Sequence, residues 1–149
     1  MVTLIGMGSG SWEALSAQAQ DAVRRAGLVF GAKRLLAGLP PECTARQFAL
    51  YQPAEILETL AQAPGQDAAV LYSGDTGFYS GASGLLTPLR ALGIPARVYP
   101  GVSSIQLLAA ALGRPWQDWK LVSAHGCACD PVAECMTERS VFFLTGGAE

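Results

Sequence analysis

Charged side chains are scarce in this sequence. Of its 149 residues, 15% are Asp, Glu, Lys or Arg, and the formal net charge is −2 at pH 7. A protein that binds nucleic acid normally carries a basic excess that attracts the phosphates, so we expect no nucleic-acid partner. Half of the residues are apolar, which predicts a folded domain with a hydrophobic core.

Long apolar runs are also missing. No stretch approaches the roughly 20 apolar residues that a helix needs to cross a bilayer. The first apolar run, residues 2–5, stops at Gly6 and has neither the basic start nor the long apolar core of a signal peptide. We therefore expect a soluble, cytoplasmic protein without membrane association.

Histidine occurs once, and the four cysteines are poorly spaced for a metal. His125, Cys127, Cys129 and Cys135 lie close together in the sequence, and these residue types suit zinc. However, one residue separates the first two of these cysteines instead of about two to four, and no second spaced pair follows. We expect no metal site here, and free thiols at these cysteines and at Cys43.

Short apolar runs alternate with amphipathic segments along the chain. The predicted strands are residues 2–5, 28–30, 45–48, 68–72, 96–99, 120–123 and 141–144. The predicted helices are residues 17–25, which Ser16 precedes, 31–38, 53–63, 84–92, 105–112 and 132–136. This alternation predicts an α/β fold with a parallel sheet and helices on both faces. Residues 114–119 (RPWQDW) interrupt it, and we place a domain boundary there.

The central stretch is residues 70–81, where a buried strand ends in a loop of small residues. In open α/β sheets, ligands bind at the carboxyl ends of strands, so residues 73–77 (SGDTG) are where we expect a cofactor. Glycine there lets a ligand approach the backbone. The alternative is a plain strand-to-helix turn in which Asp75 or Thr76 caps the next helix.

A second glycine-rich turn follows the first predicted strand, at residues 6–10 (GMGSG). Its spacing is Gly-x-Gly-x-Gly, and Ser11 follows, so the dinucleotide fingerprint Gly-x-Gly-x-x-Gly is not met. The second strand is followed by Gly31, Ala32 and Lys33, with no acidic residue to bind a ribose. Both features count against NAD binding.

Four stretches together resemble the tetrapyrrole methylases, S-adenosylmethionine-dependent enzymes of cobalamin and sirohaem synthesis. They are residues 2–10 (VTLIGMGSG), 73–79 (SGDTGFY), 100–104 (PGVSS) and 123–126 (SAHG). Their order and spacing are more specific than any one of them. Within the family, residues 31–36 (GAKRLL) and 112–116 (LGRPW) are most similar to the precorrin-6Y C5,15-methyltransferases, in particular to their C5-methylating part.

The resemblance implies two α/β domains with the cofactor between them. Residues 1–114 then correspond to the first domain, and residues 115–149 to a linker and the incomplete start of the second. The implied S-adenosylmethionine site is formed by Gly74, Asp75, Thr76, Tyr79, Ser103 and Ser104. Gly8, Ser9 and Gly10 would face the tetrapyrrole, whose carboxylates would find a base in Lys33 or Arg34, although a solvated helix face is an equal alternative for these two. At positions 76 and 77, many relatives carry Pro and an apolar residue, where this chain has Thr76 and Gly77.

The implied function is methylation of a precorrin or cobalt-precorrin ring carbon in cobalamin biosynthesis, either at C5 alone or at C5 and C15. A homodimer and a separate decarboxylating C15-methyltransferase subunit are the implied protein partners. The alternatives are another family activity, such as uroporphyrinogen-III C-methylation, and a non-catalytic folded half-enzyme that needs its missing domain. No catalytic acid or base is identified by the sequence.

Overall fold

The computed structural model describes residues 1–124, 129–136 and 139–145. The chain divides into two compact units, Met1–Ser103 and Ser104–Glu149. Among the residues described, no helix has the length and apolarity needed to cross a membrane.

The first unit is built on a five-stranded sheet in which all pairings are parallel. Its strands are β1 (Val2–Gly6), β2 (Leu28–Phe30), β3 (Arg46–Phe48), β4 (Ala68–Tyr72) and β5 (Ala96–Tyr99). The order across the sheet is β3-β2-β4-β1-β5. Because β1 lies between β4 and β5, the loops that leave these three strands emerge side by side at the carboxyl edge of the sheet.

Helices alternate with the strands of this unit. They are α1 (Ala17–Arg25), α2 (Lys33–Leu36), α3 (Pro53–Ala61) and α4 (Ala82–Ala91), with a short 3-10 helix at Trp12–Ala14. Ser16 caps α1 as its position predicts, because its Oγ accepts a hydrogen bond from the backbone N–H of Ala19 at 3.2 Å. The 3-10 helix was not predicted, since three residues are too few to show a helical period.

The two faces of the sheet are both covered. Ile5 and Leu71 pack in one buried cluster with Val23 of α1, whereas Leu4 and Val70 pack in another with Leu85 of α4. Neighbouring residues of one strand thus face opposite layers, as the period of two requires. The predicted α/β fold, a parallel sheet with helices on both faces, is confirmed.

The second unit contains α5 (Ser104–Leu112), β6 (Lys120–Ala124), α6 (Pro131–Cys135) and β7 (Val141–Thr145). β6 and β7 form a parallel pair. Lys120 of β6 forms an ion pair with Glu134 of α6, with Nζ 2.6 Å from Oε2. The division of the chain at Ser103 groups α5 with this unit, and the domain boundary that we expect after residue 114 stays a prediction.

Candidate functional site

Three loops meet at the carboxyl edge of the five-stranded sheet. We call them the β1 loop (residues 7–10), the β4 loop (residues 73–81) and the β5 loop (residues 100–103). The backbone N–H of Met7 donates to the carbonyl of Tyr72 at 2.7 Å, which continues the pairing of β1 with β4 beyond the strands. The loops are therefore held by the same kind of hydrogen bond as the sheet itself.

Gly8 and Gly74 pair directly, although 66 positions separate them. The N–H of Gly8 donates to the carbonyl of Gly74 at 3.0 Å, and the N–H of Gly74 donates to the carbonyl of Gly8 at 2.9 Å. This is an isolated antiparallel bridge between two loops. Gly8 was expected at the tetrapyrrole and Gly74 at the cofactor, and the structure brings the two residues into contact.

Glycine is required at two further positions where the loops touch. A Cβ on Gly101 would lie 2.2 Å from the carbonyl oxygen of Gly74, and a Cβ on Gly6 would lie 2.5 Å from the N atom of Gly101. No side chain fits at such distances, because the obstructing atoms belong to the backbone. This contact of Gly6 and Gly101 was not predicted from the sequence. The only sequence feature that points to it is that both glycines follow predicted strands.

Gly74 itself is required for a different reason. A Cβ there would meet nothing closer than Cα of Ser103 at 4.0 Å, but the φ of Gly74 is +64°. This left-handed conformation disfavours residues with side chains. The bare backbone of Gly74 therefore leaves an open space at the surface of the β4 loop.

Asp75 ties the β4 loop to the β5 loop. Its Oδ1 accepts a hydrogen bond from the N–H of Gly101 at 3.1 Å, and its Oδ2 accepts one from the N–H of Gly77 at 2.9 Å. A carboxylate that accepts backbone N–H groups holds them more strongly than a neutral acceptor does. Asp75 thus acts on the loops themselves, and each of its oxygens retains a further lone pair.

The alternative interpretation of Asp75 or Thr76 as a helix cap is wrong. α4 begins at Ala82, two residues before the predicted Gly84, and no side chain caps it from its N-cap, Gly81. The carboxylate of Asp75 is engaged within the loops instead, and Thr76 lies well before the first turn of the helix. The expectation of a cap failed because the β4 loop is longer than a tight strand-to-helix turn.

Tyr79 occupies a strained position in the same loop. Its φ is 48°, and it is the one non-glycine residue with positive φ in the described part of the chain. Its ring contacts that of Phe78 with centroids 4.9 Å apart, yet 51% of the residue is exposed. An unfavourable backbone conformation that presents an aromatic ring is typical of binding sites. This conformation could not be predicted from the sequence, because tyrosine rarely adopts it.

The remaining predicted site residues lie on the same loops or next to them. Ser9 is exposed, and Gly10 has a φ of 97° and closes a turn by donating to the carbonyl of Met7 at 2.8 Å. Ser103 is buried, with 4% of its surface exposed, at the end of the β5 loop. Ser104 is the first residue of α5 and belongs to the second unit.

Of the two basic residues considered, only Arg34 reaches this edge of the sheet through a hydrogen bond. Its Nη2 donates to Oγ of Ser73, the first residue of the β4 loop. The side chain of Lys33 forms no hydrogen bond or ion pair with any residue that the structure describes.

Tyr72 stands at the end of β4, immediately before the loop. Burial raises the pKa of its phenol to about 12. Since a phenol with so high a pKa stays protonated at neutral pH, Tyr72 is a poor general base there.

No group of three His, Cys, Asp or Glu residues capable of holding a metal occurs among the described residues. Cys43 is a buried free thiol, Cys129 is half-buried and Cys135 is exposed, which confirms the expectation of free thiols at these three positions. Burial raises the pKa of the Cys43 thiol. His125 and Cys127 lie outside the described residues, and so does Gly126 of the predicted motif at residues 123–126.

These features define a parallel α/β domain with helices on both faces of the sheet and glycine-rich loops at its carboxyl edge. The sequence matches the family of tetrapyrrole (corrin/porphyrin) methylases over residues 1–146. The chain therefore belongs to this family, and the resemblance of its four stretches is confirmed.

Individual relatives agree with this assignment. The chain is 32% identical over 147 residues to a cobalt-precorrin-7 C(5)-methyltransferase of Salmonella typhimurium, covering 97% of this chain and 71% of that protein. It is 32% identical over 120 residues to a precorrin-4 C(11)-methyltransferase of Rhodococcus erythropolis, covering 76% of this chain and 48% of that protein.

A solved structure shares the fold. It is the precorrin-6Y methylase (cbiE) of cobalamin biosynthesis from Archaeoglobus fulgidus, with a TM-score of 0.70 and 22% identity over 97% of this chain and 72% of that one. The chain thus spans about half to three quarters of the length of these three proteins.

Proposed function

We propose that this chain carries the cofactor and substrate loops of an S-adenosylmethionine-dependent C-methyltransferase of cobalamin biosynthesis. The proposed substrate is a precorrin or cobalt-precorrin, methylated at ring carbon C5, either alone or together with C15. Gly74, Asp75, Thr76, Tyr79, Ser103 and Ser104 are the proposed cofactor residues. Gly8, Ser9 and Gly10 are the proposed substrate residues. Family membership and the identity to a C(5)-methyltransferase support the reaction class.

The reciprocal hydrogen bonds between Gly8 and Gly74 carry the proposal for the site. A group transfer between two bound molecules requires that their binding loops keep a fixed separation. Two backbone hydrogen bonds join the proposed substrate loop to the proposed cofactor loop. Fixing two reactants relative to each other is worth roughly 7–11 kcal/mol of the barrier in favourable cases.

The charges of the loops suit the proposed cofactor. S-Adenosylmethionine carries a sulfonium, an ammonium and a carboxylate group and is therefore a net cation, whereas the β4 and β5 loops contain one carboxylate, Asp75, and no basic residue. Asp75 would therefore attract the sulfonium and ammonium groups of the cofactor. The exposed ring of Tyr79 offers a face for the adenine base or for the cation.

S-Adenosylmethionine, when bound, would supply a methyl group that leaves its sulfur for a nucleophilic ring carbon. The residues of this chain would bind and orient the two molecules and exclude water between them. No described side chain stands out as an acid or base, and the raised pKa of Tyr72 argues against its taking up a proton.

A second candidate is methylation of another ring carbon. The identity to a precorrin-4 C(11)-methyltransferase is as high as that to the C(5)-methyltransferase, over a shorter stretch. Incubation with each precorrin and ¹³C-methyl S-adenosylmethionine, followed by NMR of the product, distinguishes the two ring positions by the carbon that gains the label.

The cofactor site is tested by calorimetric titration with S-adenosylhomocysteine. We expect one-to-one binding by the wild-type chain, at least a tenfold weaker affinity for Gly74→Ala, and wild-type affinity for Gly93→Ala. Gly93 is a matched control, because its φ of +67° is close to that of Gly74 and a Cβ there meets nothing within 4 Å. Both substitutions should cost about 1–2 kcal/mol of stability from backbone strain.

Equal affinities of the two variants would overturn the assignment of the β4 loop. Absence of binding by the wild-type chain would favour the alternative of a non-catalytic half-enzyme that binds only with further polypeptide.

The family resemblance also leads us to propose a homodimer located in the cytoplasm, with a separate decarboxylating C15-methyltransferase as a further partner. Light scattering on the purified chain tests the dimer, which should have twice the mass of 15.5 kDa. A monomeric mass at micromolar concentration would contradict it.

A further inference from the structure

Arg34 is an exposed residue on a firmly anchored helix. α2 is only four residues long, but Leu35 and Leu36, which follow Arg34, are 2% and 8% exposed and pack in the core. Burial of two leucines fixes the helix against the sheet, and the arginine side chain extends from it toward the carboxyl edge. The base of this side chain therefore has a defined position.

The guanidinium group lies between the two loops proposed to hold the reactants. Its Nη2 donates to Oγ of Ser73 in the β4 loop, and a Cβ on Gly10 of the β1 loop would lie 3.9 Å from its Nη1. The absence of a side chain at Gly10 leaves room for the guanidinium. Arg34 thus borders the β1 loop and the β4 loop at once.

The charge of Arg34 is not neutralised by the described part of the chain. None of the ion pairs there includes Arg34, and the one carboxylate of the neighbouring loop, Asp75, accepts hydrogen bonds from Gly77 and Gly101. A guanidinium has five N–H donors in a planar fork that matches a carboxylate. The hydrogen bond to Ser73 uses one of them.

We propose that Arg34 binds a peripheral carboxylate of the tetrapyrrole and that Ser73 holds the guanidinium in the orientation needed for this. The inference rests on the proposed function, since it assigns a residue to the substrate of that reaction. Tetrapyrroles of this class carry acetate and propionate side chains around the ring, and a planar carboxylate is the partner that an arginine fork binds best. The side chain of Lys33, one residue earlier, forms no hydrogen bond or ion pair within the described part of the chain and takes no part.

The test is a fluorescence titration of the chain with uroporphyrin, which carries acetate and propionate groups, and with its octamethyl ester in mild detergent. We expect Arg34→Gln to weaken uroporphyrin binding roughly tenfold or more. Arg34→Lys should recover part of the affinity, because it keeps the charge but loses the fork. Lys33→Gln is the matched control and should bind as the wild type does, and Ser73→Ala should show a smaller loss than Arg34→Gln.

Two further readouts separate this role from a structural one. The affinity of the ester should be the same for the wild type and Arg34→Gln, since the ester has no charge to recognise. Raising the salt concentration should weaken uroporphyrin binding more in the wild type than in Arg34→Gln.

Equal losses for Arg34→Gln and Lys33→Gln, or no uroporphyrin binding by the wild type, would overturn the inference. Titration of the same variants with S-adenosylhomocysteine keeps its failure distinct from failure of the proposed function. Wild-type affinity for that ligand in Arg34→Gln, together with unchanged uroporphyrin binding, would remove Arg34 and leave the cofactor site standing. If the wild type does not bind S-adenosylhomocysteine but binds uroporphyrin in an Arg34-dependent way, the proposed cofactor site fails and the role of Arg34 stands.

Discussion

The carboxylate of Asp75 accepts the backbone N–H of Gly101 at 3.1 Å and so joins the ends of two strands that are not neighbours in the sheet. β1 separates β4 from β5, and the side chain of Asp75 bridges over its end. The loop that follows β4 therefore depends on the loop that follows β5, and a change in either should affect both.

Replacement of Asp75 by asparagine should destabilise the protein by about 1–3 kcal/mol. The backbone N–H groups of Gly77 and Gly101 each donate to one carboxylate oxygen, and in asparagine one of these N–H groups would face an NH₂ group, which cannot accept. Urea denaturation measures this. Asp21→Asn is the control, since it removes an exposed ion pair with Arg25 and should change the stability by about 0.5 kcal/mol or less. Equal effects of the two variants would show that the bridge of Asp75 contributes nothing.

Replacement of Gly101 by alanine should cost at least about 2 kcal/mol, because the new Cβ would lie 2.2 Å from the carbonyl oxygen of Gly74. Gly84→Ala provides the contrast. A Cβ there would lie 3.7 Å from Cγ of Pro53, and the helical position should gain about 0.5–1 kcal/mol. The melting temperature measured by thermal denaturation should therefore fall for Gly101→Ala and rise for Gly84→Ala. A shift of the same sign in both variants would contradict the close approach of the loops.

Alkaline pH should destabilise the protein through Tyr72. Its pKa is raised from 10 in the unfolded chain to about 12 in the folded protein, so the unfolded chain releases the proton first. The stability that depends on this phenol is complete below pH 10 and is lost as the pH rises toward 12. We expect Tyr72→Phe to flatten the fall in stability over this window, whereas Tyr51→Phe, at a residue that is 68% exposed, should not.

Thiol reactivity should differ between Cys43 and Cys135. Cys43 is buried and burial raises the pKa of its thiol, whereas Cys135 is exposed. Because the thiolate is the reactive form, iodoacetamide should label Cys135 first and Cys43 only slowly. Peptide mass spectrometry follows both sites, and labelling in urea should remove the difference. Rapid labelling of Cys43 in the native protein would contradict its burial.

The positions of the strands and helices could be predicted from sequence because each depends on local pattern. The runs 68–72 and 96–99 are strands with the predicted bounds, and α1 follows Ser16 and ends at Arg25 as predicted. The end of α4 that faces the site was misplaced by two residues, since the preceding loop is shaped by the contacts of Asp75 rather than by a cap.

The contacts of the candidate site could not be predicted in the same way. The hydrogen bonds between Gly8 and Gly74 exist because β1 is inserted beside β4, and this order is a property of the whole sheet. The close approach of Gly6 and Gly101 has the same origin. The hydrogen bond from Arg34 to Ser73 depends on where a short helix packs. The sequence therefore indicates both Lys33 and Arg34 as candidates for binding a carboxylate and cannot show which of them lies beside the β4 loop.

The bridge between Gly8 and Gly74 is made of main-chain atoms alone, so no side chain of these loops takes part in its two hydrogen bonds. We therefore expect that substitutions at Ser9 and Thr76 leave these two hydrogen bonds in place. In the proposed function, this main-chain bridge keeps the two reactants aligned, and neighbouring side chains select the tetrapyrrole substrate. Relatives that methylate different ring carbons are then expected to differ in the side chains of these loops and to retain the two glycines of the bridge.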